Sequence, residues 1–220
     1  MNLLGELLLL AYDDEGRKIL DSIRLDYGLG GALLLELALA GRIDVVGQKV
    51  AVVDPRPTGD PLVDDALTRI RDDARSRKPA HWVGKFAKGT RKRVLDHLIS
   101  AEVLRVEHGT VLWVFPRTTY PAAYGAEPVA ETDARQRMRV AVTTAGEVDA
   151  RTAALCSLVA ATQMERKVFP DLDRRQVKAR LKEIGEGSWA AAAVKRAIQD
   201  IQTAIMAGAV AATSTAAISG

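Results

Sequence analysis

Residues 85 to 93, "KFAKGTRKR", place five Lys/Arg side chains in nine positions around what reads as the start of a helix. With Thr90 as the first helical residue, Arg91, Lys92 and Arg93 crowd the first turn, where the helix macrodipole disfavours each cation by roughly 0.3–1 kcal/mol. The backbone N–H groups of that turn have no intrahelical acceptor and attract negative charge, so Asp or Glu is the ordinary choice there. Cations stacked on such a turn fit an external anion, most simply a phosphate, that completes the site. Lys85 and Lys88 could reach the same point from the preceding loop. The competing reading is a solvated charged face that holds nothing. Trp82 and Phe86 beside these lysines make an aromatic-basic mixture, which suits nucleic-acid surfaces and membrane interfaces alike.

The same cations belong to a longer basic stripe. Residues 69 to 93 hold ten Lys/Arg against Asp72 and Asp73, a local +8 in a chain of net charge +3, which leaves −5 for the remainder. One face is therefore expected to meet an anion. A nucleic-acid-binding protein that uses this stripe is the alternative to a lipid-headgroup binder.

Catalysis finds no such foothold. His81, His97 and His108 have no mutual ligand spacing and no carboxylate partners in a metal pattern. Cys156 lies in the apolar run "TAALCSLVAA" and is expected to be a buried, inert thiol. No GxSxG elbow is present. The stretch "GLGGALLLELALAG", residues 28 to 41, brings Gly28, Gly30 and Gly31 to the front of an apolar helix, as nucleotide loops do. A P-loop needs GxxxxGK[ST], however, and a dinucleotide fingerprint needs GxGxxG after a strand. Leu33 stands where the last glycine belongs, and "DSIRLDY" ahead of it is polar and reads as irregular. The glycines are expected to let the start of the helix pack closely on a neighbour. Glu36 inside the run is a lone acid, either a buried anchor or a group reaching an edge, and makes no acid-base pair. The expectation is a protein that is not an enzyme and has no cofactor or metal.

Positioning the basic site falls to a mainly α chain, a single globular helical domain over residues 1–220 with two small β-hairpins. Helices are expected at 3–12 and 30–41, followed by a hairpin, "RIDVVGQKVAVVD", that turns at Gly47-Gln48 in a type II′ turn. Asp60 as N-cap and Pro61 in the first turn open a helix that runs to about Arg77, before Pro79. A short element spans Trp82 to Phe86. In the helix from Thr90, Val94, Leu95, Leu98, Ile99 and Leu104 repeat on one side. A second hairpin, "LRVEHGTVLWVFP", turns at His108-Gly109, and helices follow at 131–144, 147–163, 173–184 and 189–208. The opening "MNLLGELLLLAYDDEG" lacks a basic n-region and a cleavage site and reads as a core helix. The closing "IQTAIMAGAVAATSTAAISG" falls short of a spanning segment. One cysteine and no disulfide framework agree with a reducing cytosol.

Several stretches in order resemble the Golgi phosphoprotein 3 family, which has bacterial members, and this chain reads as one of them. They are "LLGELLLLAYDDEGR" at 3–17, "GLGGALLLELALAGRI" at 28–43, "PTGDPLVDDAL" at 57–67, "TTYP" at 118–121 and "DARTAALCSLVAA" at 149–161. The resemblance implies a mostly helical, non-catalytic, peripheral membrane adaptor in the cytoplasm that binds phosphatidylinositol 4-phosphate or a similar anionic headgroup. It further implies cytosolic tails of membrane proteins as clients and homo-oligomers formed through the second hairpin. The family's two basic residues opening a later helix fall on Lys88 and Arg91, with Lys85 and Lys92 beside them as helpers. Its tryptophan and arginine near the glycine helix fall on Asp21 and Gly30, so that half of the headgroup pocket is changed here. In the second hairpin, alternating Val111, Trp113 and Phe115 are expected to face the core or a subunit contact more than a lipid interface.

Overall fold

The computed structural model describes residues 1–111, 115–186 and 192–218. In chain order the elements are α1 (Leu3–Leu10), α2 (Ser22–Leu39), β1 (Ile43–Val46), β2 (Lys49–Val52), α3 (Pro61–Arg71), α4 (Pro79–Ala87), α5 (Thr90–Ser100), β3 (Glu107–Val111), β4 (Phe115–Thr119), α6 (Val129–Thr143), α7 (Ala150–Thr162), α8 (Glu165–Val168), α9 (Arg174–Glu186) and α10 (Ala192–Ile218). The fold is mainly α, and its strands form two separate antiparallel pairs, β1-β2 and β3-β4.

The axis of the packing is α2, which touches α1, α3, α4, α5, α7 and α10. It begins eight residues earlier than its apolar run suggests, because Asp21 accepts hydrogen bonds from the N–H groups of Ile23 and Arg24 and caps a helix that starts at Ser22. The polar stretch expected to be irregular is thus the surface end of this helix, and Leu25 already belongs to the core. The glycines consequently sit mid-helix instead of opening it. A Cβ on Gly30 would lie 2.4 Å from the Val83 carbonyl oxygen and 2.9 Å from the Ala87 nitrogen, so α4 crosses α2 backbone to backbone. A Cβ on Gly31 would lie 2.3 Å from the Ile205 side chain of α10, so this glycine makes room for a side chain where Gly30 makes room for main chain. Glycine inside a helix costs about 1 kcal/mol relative to alanine, and here the close crossings offset it.

Two further boundaries differ from the pattern reading. Asp60 does cap α3, through the N–H groups of Leu62 and Val63, with Pro61 in the first turn, but the helix ends at Arg71. The chain beyond it lies along the first hairpin, where Val50 N–H donates to the Arg77 carbonyl at 2.8 Å. In that hairpin both Gly47 and Gln48 have positive φ, +56° and +63°, which makes the turn type I′ and not type II′. The second hairpin pairs Glu107 with Thr119 through to Val111 with Phe115, so His108 and Gly109 lie inside β3 and the connection falls later. Trp113 and the side chains of Val111 and Phe115, with the core-facing role expected of them, lie outside the described residues. The stretch Trp82 to Phe86 is a full helix, α4. The described part of α10 begins at Ala192 and continues ten residues past the expected end.

Candidate functional site

The basic residues gather at the corner between α4 and α5. Lys88 is the C-cap residue of α4, and Gly89 follows with φ +79°, a left-handed conformation that turns the chain into α5 at Thr90, as the sequence suggests. Gly89 offers no side chain, and Thr90 Oγ1 is turned back to donate to the Phe86 carbonyl at 2.5 Å. No side chain caps α5 and no acid stands in its first turn. Its first N–H groups therefore keep their attraction for an anion.

The predicted cations are disposed unequally around this corner. Lys88 is exposed, with no carboxylate within 4 Å among the described residues. Lys85 lies over the Trp82 ring, 4.7 Å from its centre. Lys92 is exposed and pairs with Asp96 one turn on, at 2.7 Å. Arg91 leans across to α2, where Nε stands 3.2 Å from Asp26 Oδ1 and Nη1 donates to Ser22 Oγ at 3.1 Å. Arg93 pairs with Asp65 of α3 at 2.7 Å. The aromatic part of the expected surface mixture is absent from the surface. Trp82 is 1% exposed and Phe86 3%, and their rings stack in the core 5.4 Å apart.

Lys18, Ser22 and Asp26 also belong to this corner, and pattern reading does not single them out. Lys18 Nζ donates to Ser22 Oγ. Burial raises the Asp26 carboxyl above its usual range, against the pull of Arg91 and Lys18. Ser22 and Asp26 share a face at a four-residue spacing, a signal visible only once α2 is started from its Asp21 cap. Asp21 and Gly30, on which the resemblance places a tryptophan and an arginine, have structural duties: one caps α2, and the other admits α4.

Elsewhere the polar groups serve packing. Glu36 is not alone, since Oε1 accepts the Leu3 N–H at 2.5 Å and stands 3.3 Å from Arg151 Nη1, which anchors the start of α1. Glu6, 4% exposed, meets Arg137 at 3.0 Å and Arg151 at 3.4 Å. Cys156 is fully buried, and burial pushes its thiol up to about 12, which leaves no thiolate for chemistry at neutral pH. His81 and His97 are exposed, and His108 Nδ1 lies 3.3 Å from Thr118 Oγ1. A cleft of about 600 Å³ opens between the Asp13–Glu15 loop and α6 and is bordered by Tyr12, Tyr120, Glu131 and Arg135.

A sequence model described as Golgi phosphoprotein 3 matches residues 3–201. Vacuolar protein sorting-associated protein 74 of Eremothecium gossypii is 29% identical over 148 residues, which cover 56% of this chain and 44% of that relative. The matched stretch thus spans less than half the length of the relative.

Proposed function

The chain belongs to the Golgi phosphoprotein 3 family, and on that premise we propose that it is a non-catalytic peripheral membrane adaptor. It binds an anionic phospholipid headgroup, of the phosphatidylinositol 4-phosphate kind, at the α4–α5 corner through Lys88 and Arg91, with Lys85 and Lys92 beside them. The observation that carries this reading is the start of α5, where a glycine N-cap and a first turn without an acid leave an uncapped helix end directly after Lys88, which is exposed and has no carboxylate partner among the described residues. Among the described residues no helix is long and apolar enough to cross a membrane. Cytosolic tails of membrane proteins as clients, and self-association through the second hairpin, complete the adaptor reading.

Liposome flotation with graded anionic lipid tests it. The charge-reversed pair Lys88→Glu and Arg91→Glu is expected to lose at least tenfold in bound fraction, and Lys88→Glu alone, which breaks no ion pair among the described residues, to weaken binding while melting like the parent chain. Unchanged flotation removes the site. The nucleic-acid reading draws less support, because it needs the whole stripe, in which Arg69, Arg91, Lys92 and Arg93 pair with Asp65, Asp26 and Asp96 from outside it, whereas the headgroup reading keeps Lys85 and Lys88 without a carboxylate partner among the described residues.

A further inference from the structure

The guanidinium of Arg91 crosses from α5 to the first turns of α2 and meets Ser22 Oγ, to which Lys18 also donates. Two cations thereby converge on one hydroxyl, and the adjoining counter-charge is the carboxylate of Asp26. That carboxylate is poorly held. Asp26 Oδ1 is buried and accepts no hydrogen bond among the described residues, although Arg91 Nε stands 3.2 Å away, so the contact is one of charges without a well-aimed proton. A buried acceptor left without a donor is costly, and a carboxylate in this state is a weak competitor for its own partner. The N–H groups of Ile23 and Arg24 are already taken by Asp21, so whatever binds here is held by side chains. An arginine, a lysine and a hydroxyl together supply several donors, more than Asp26 uses and well matched to the oxygens of a tetrahedral phosphate.

We propose that Lys18, Ser22 and Arg91 form the seat of a phosphate group, and that Asp26 is the intramolecular carboxylate which this phosphate displaces. The inference rests on the anion reading of Arg91 given above and adds to it two contacts and a built-in competitor. The phosphate is either free or the terminal monoester of a lipid headgroup. Both carry the same oxyanion to the same donors. Removing the competitor frees Arg91, and the gain expected is about fivefold, the upper range for a partly exposed ion pair.

The full chain and its variants are titrated with inorganic phosphate by calorimetry, and in parallel with phosphatidylcholine vesicles that contain or lack a phosphomonoester lipid. Asp26→Asn, which keeps shape and removes charge, is expected to tighten binding about fivefold, and Lys18→Ala to weaken it by a similar factor. The gain from Asp26→Asn is expected to vanish when Arg91→Gln is combined with it. Should Asp26→Asn fold poorly by its thermal melt, Asp26→Ser carries the same measurement. Wild-type affinity in the Asp26 variant for both probes, or a gain that survives Arg91→Gln, overturns the proposal. Phosphate binding that responds to Asp26 without any vesicle binding supports the seat and removes the membrane reading. Vesicle binding that ignores Asp26 does the reverse. No binding of either probe by any variant removes both.

Discussion

Glu131 shows how far burial moves a single carboxyl in this chain. It is 7% exposed at the start of α6 and shares Arg135 with Glu127. Burial pushes its carboxyl up to about 7, and repulsion from Glu127 and Asp14 adds to the effect, while Arg135 opposes it. The folded chain therefore keeps a proton on Glu131 between the unperturbed value of 4.5 and about 7. This contribution to stability is present at low pH and is lost as pH rises through that window. Urea unfolding is expected to show wild type losing about 2 kcal/mol more than Glu131→Gln between pH 5 and pH 8, at about 1.4 kcal/mol per pKa unit. Parallel pH profiles for the two proteins would contradict the assignment. At this scale the sequence was informative where one residue type carried the signal. Arg91 and Lys92 stood out as cations in a turn that prefers acids, and Cys156 stood out as a thiol in an apolar run. Ion pairs between elements were not legible, because Asp26 with Arg91 and Glu36 with Arg151 depend on the phase of two helices at once.

Helix crossings decide what the glycines of α2 can tolerate. Alanine at position 30 gains about 1 kcal/mol in helix propensity, yet its Cβ would meet the backbone of α4 at 2.4 Å. Overpacking of this kind costs about 1–3 kcal/mol, and the obstacle is main chain that cannot rotate away. Gly30→Ala is therefore expected to lower the melting temperature. Gly84→Ala in α4, where the nearest atom to a new Cβ is 4.0 Å away, is expected to leave it unchanged or raise it. Equal effects from the two would mean that the crossing is looser than described. An arginine at position 30, where the resemblance places one, has still less room against α4. The close packing of this helix is legible in its glycines, but their mid-helix place is not, because the polar first turns after the Asp21 cap lack the apolar run that marks the rest of α2. The end of α3 was missed for a related reason. Continued polar periodicity after Arg71 resembles helix, whereas the chain there bonds to the edge of β2.

The charge balance of the whole molecule limits what the basic stripe can do. Of its ten cations, Arg69, Arg71, Arg77, Arg91, Lys92 and Arg93 lie within 4 Å of a carboxylate, and among the described residues Arg75, Lys78, Lys85 and Lys88 have none that close. Each basic residue near an anionic bilayer is worth about 1 kcal/mol, so the four together supply about 4 kcal/mol, a millimolar affinity on their own. Bulk negative charge is thus too weak a tether, and residence on a membrane needs a specific phosphate contact or several chains acting together. Vesicles that carry a phosphomonoester lipid are expected to retain the protein at physiological salt better than phosphatidylserine vesicles of equal surface charge. Duplex DNA is expected to bind weakly, with log affinity falling against log salt at a slope no steeper than about −4, the limit for four phosphate contacts. Gel shifts at several salt concentrations and flotation on the two vesicle types measure both sides. A steeper DNA slope, with no preference between the lipids, would mean that the internal ion pairs open to release further cations and that the stripe acts as one extended electrostatic surface.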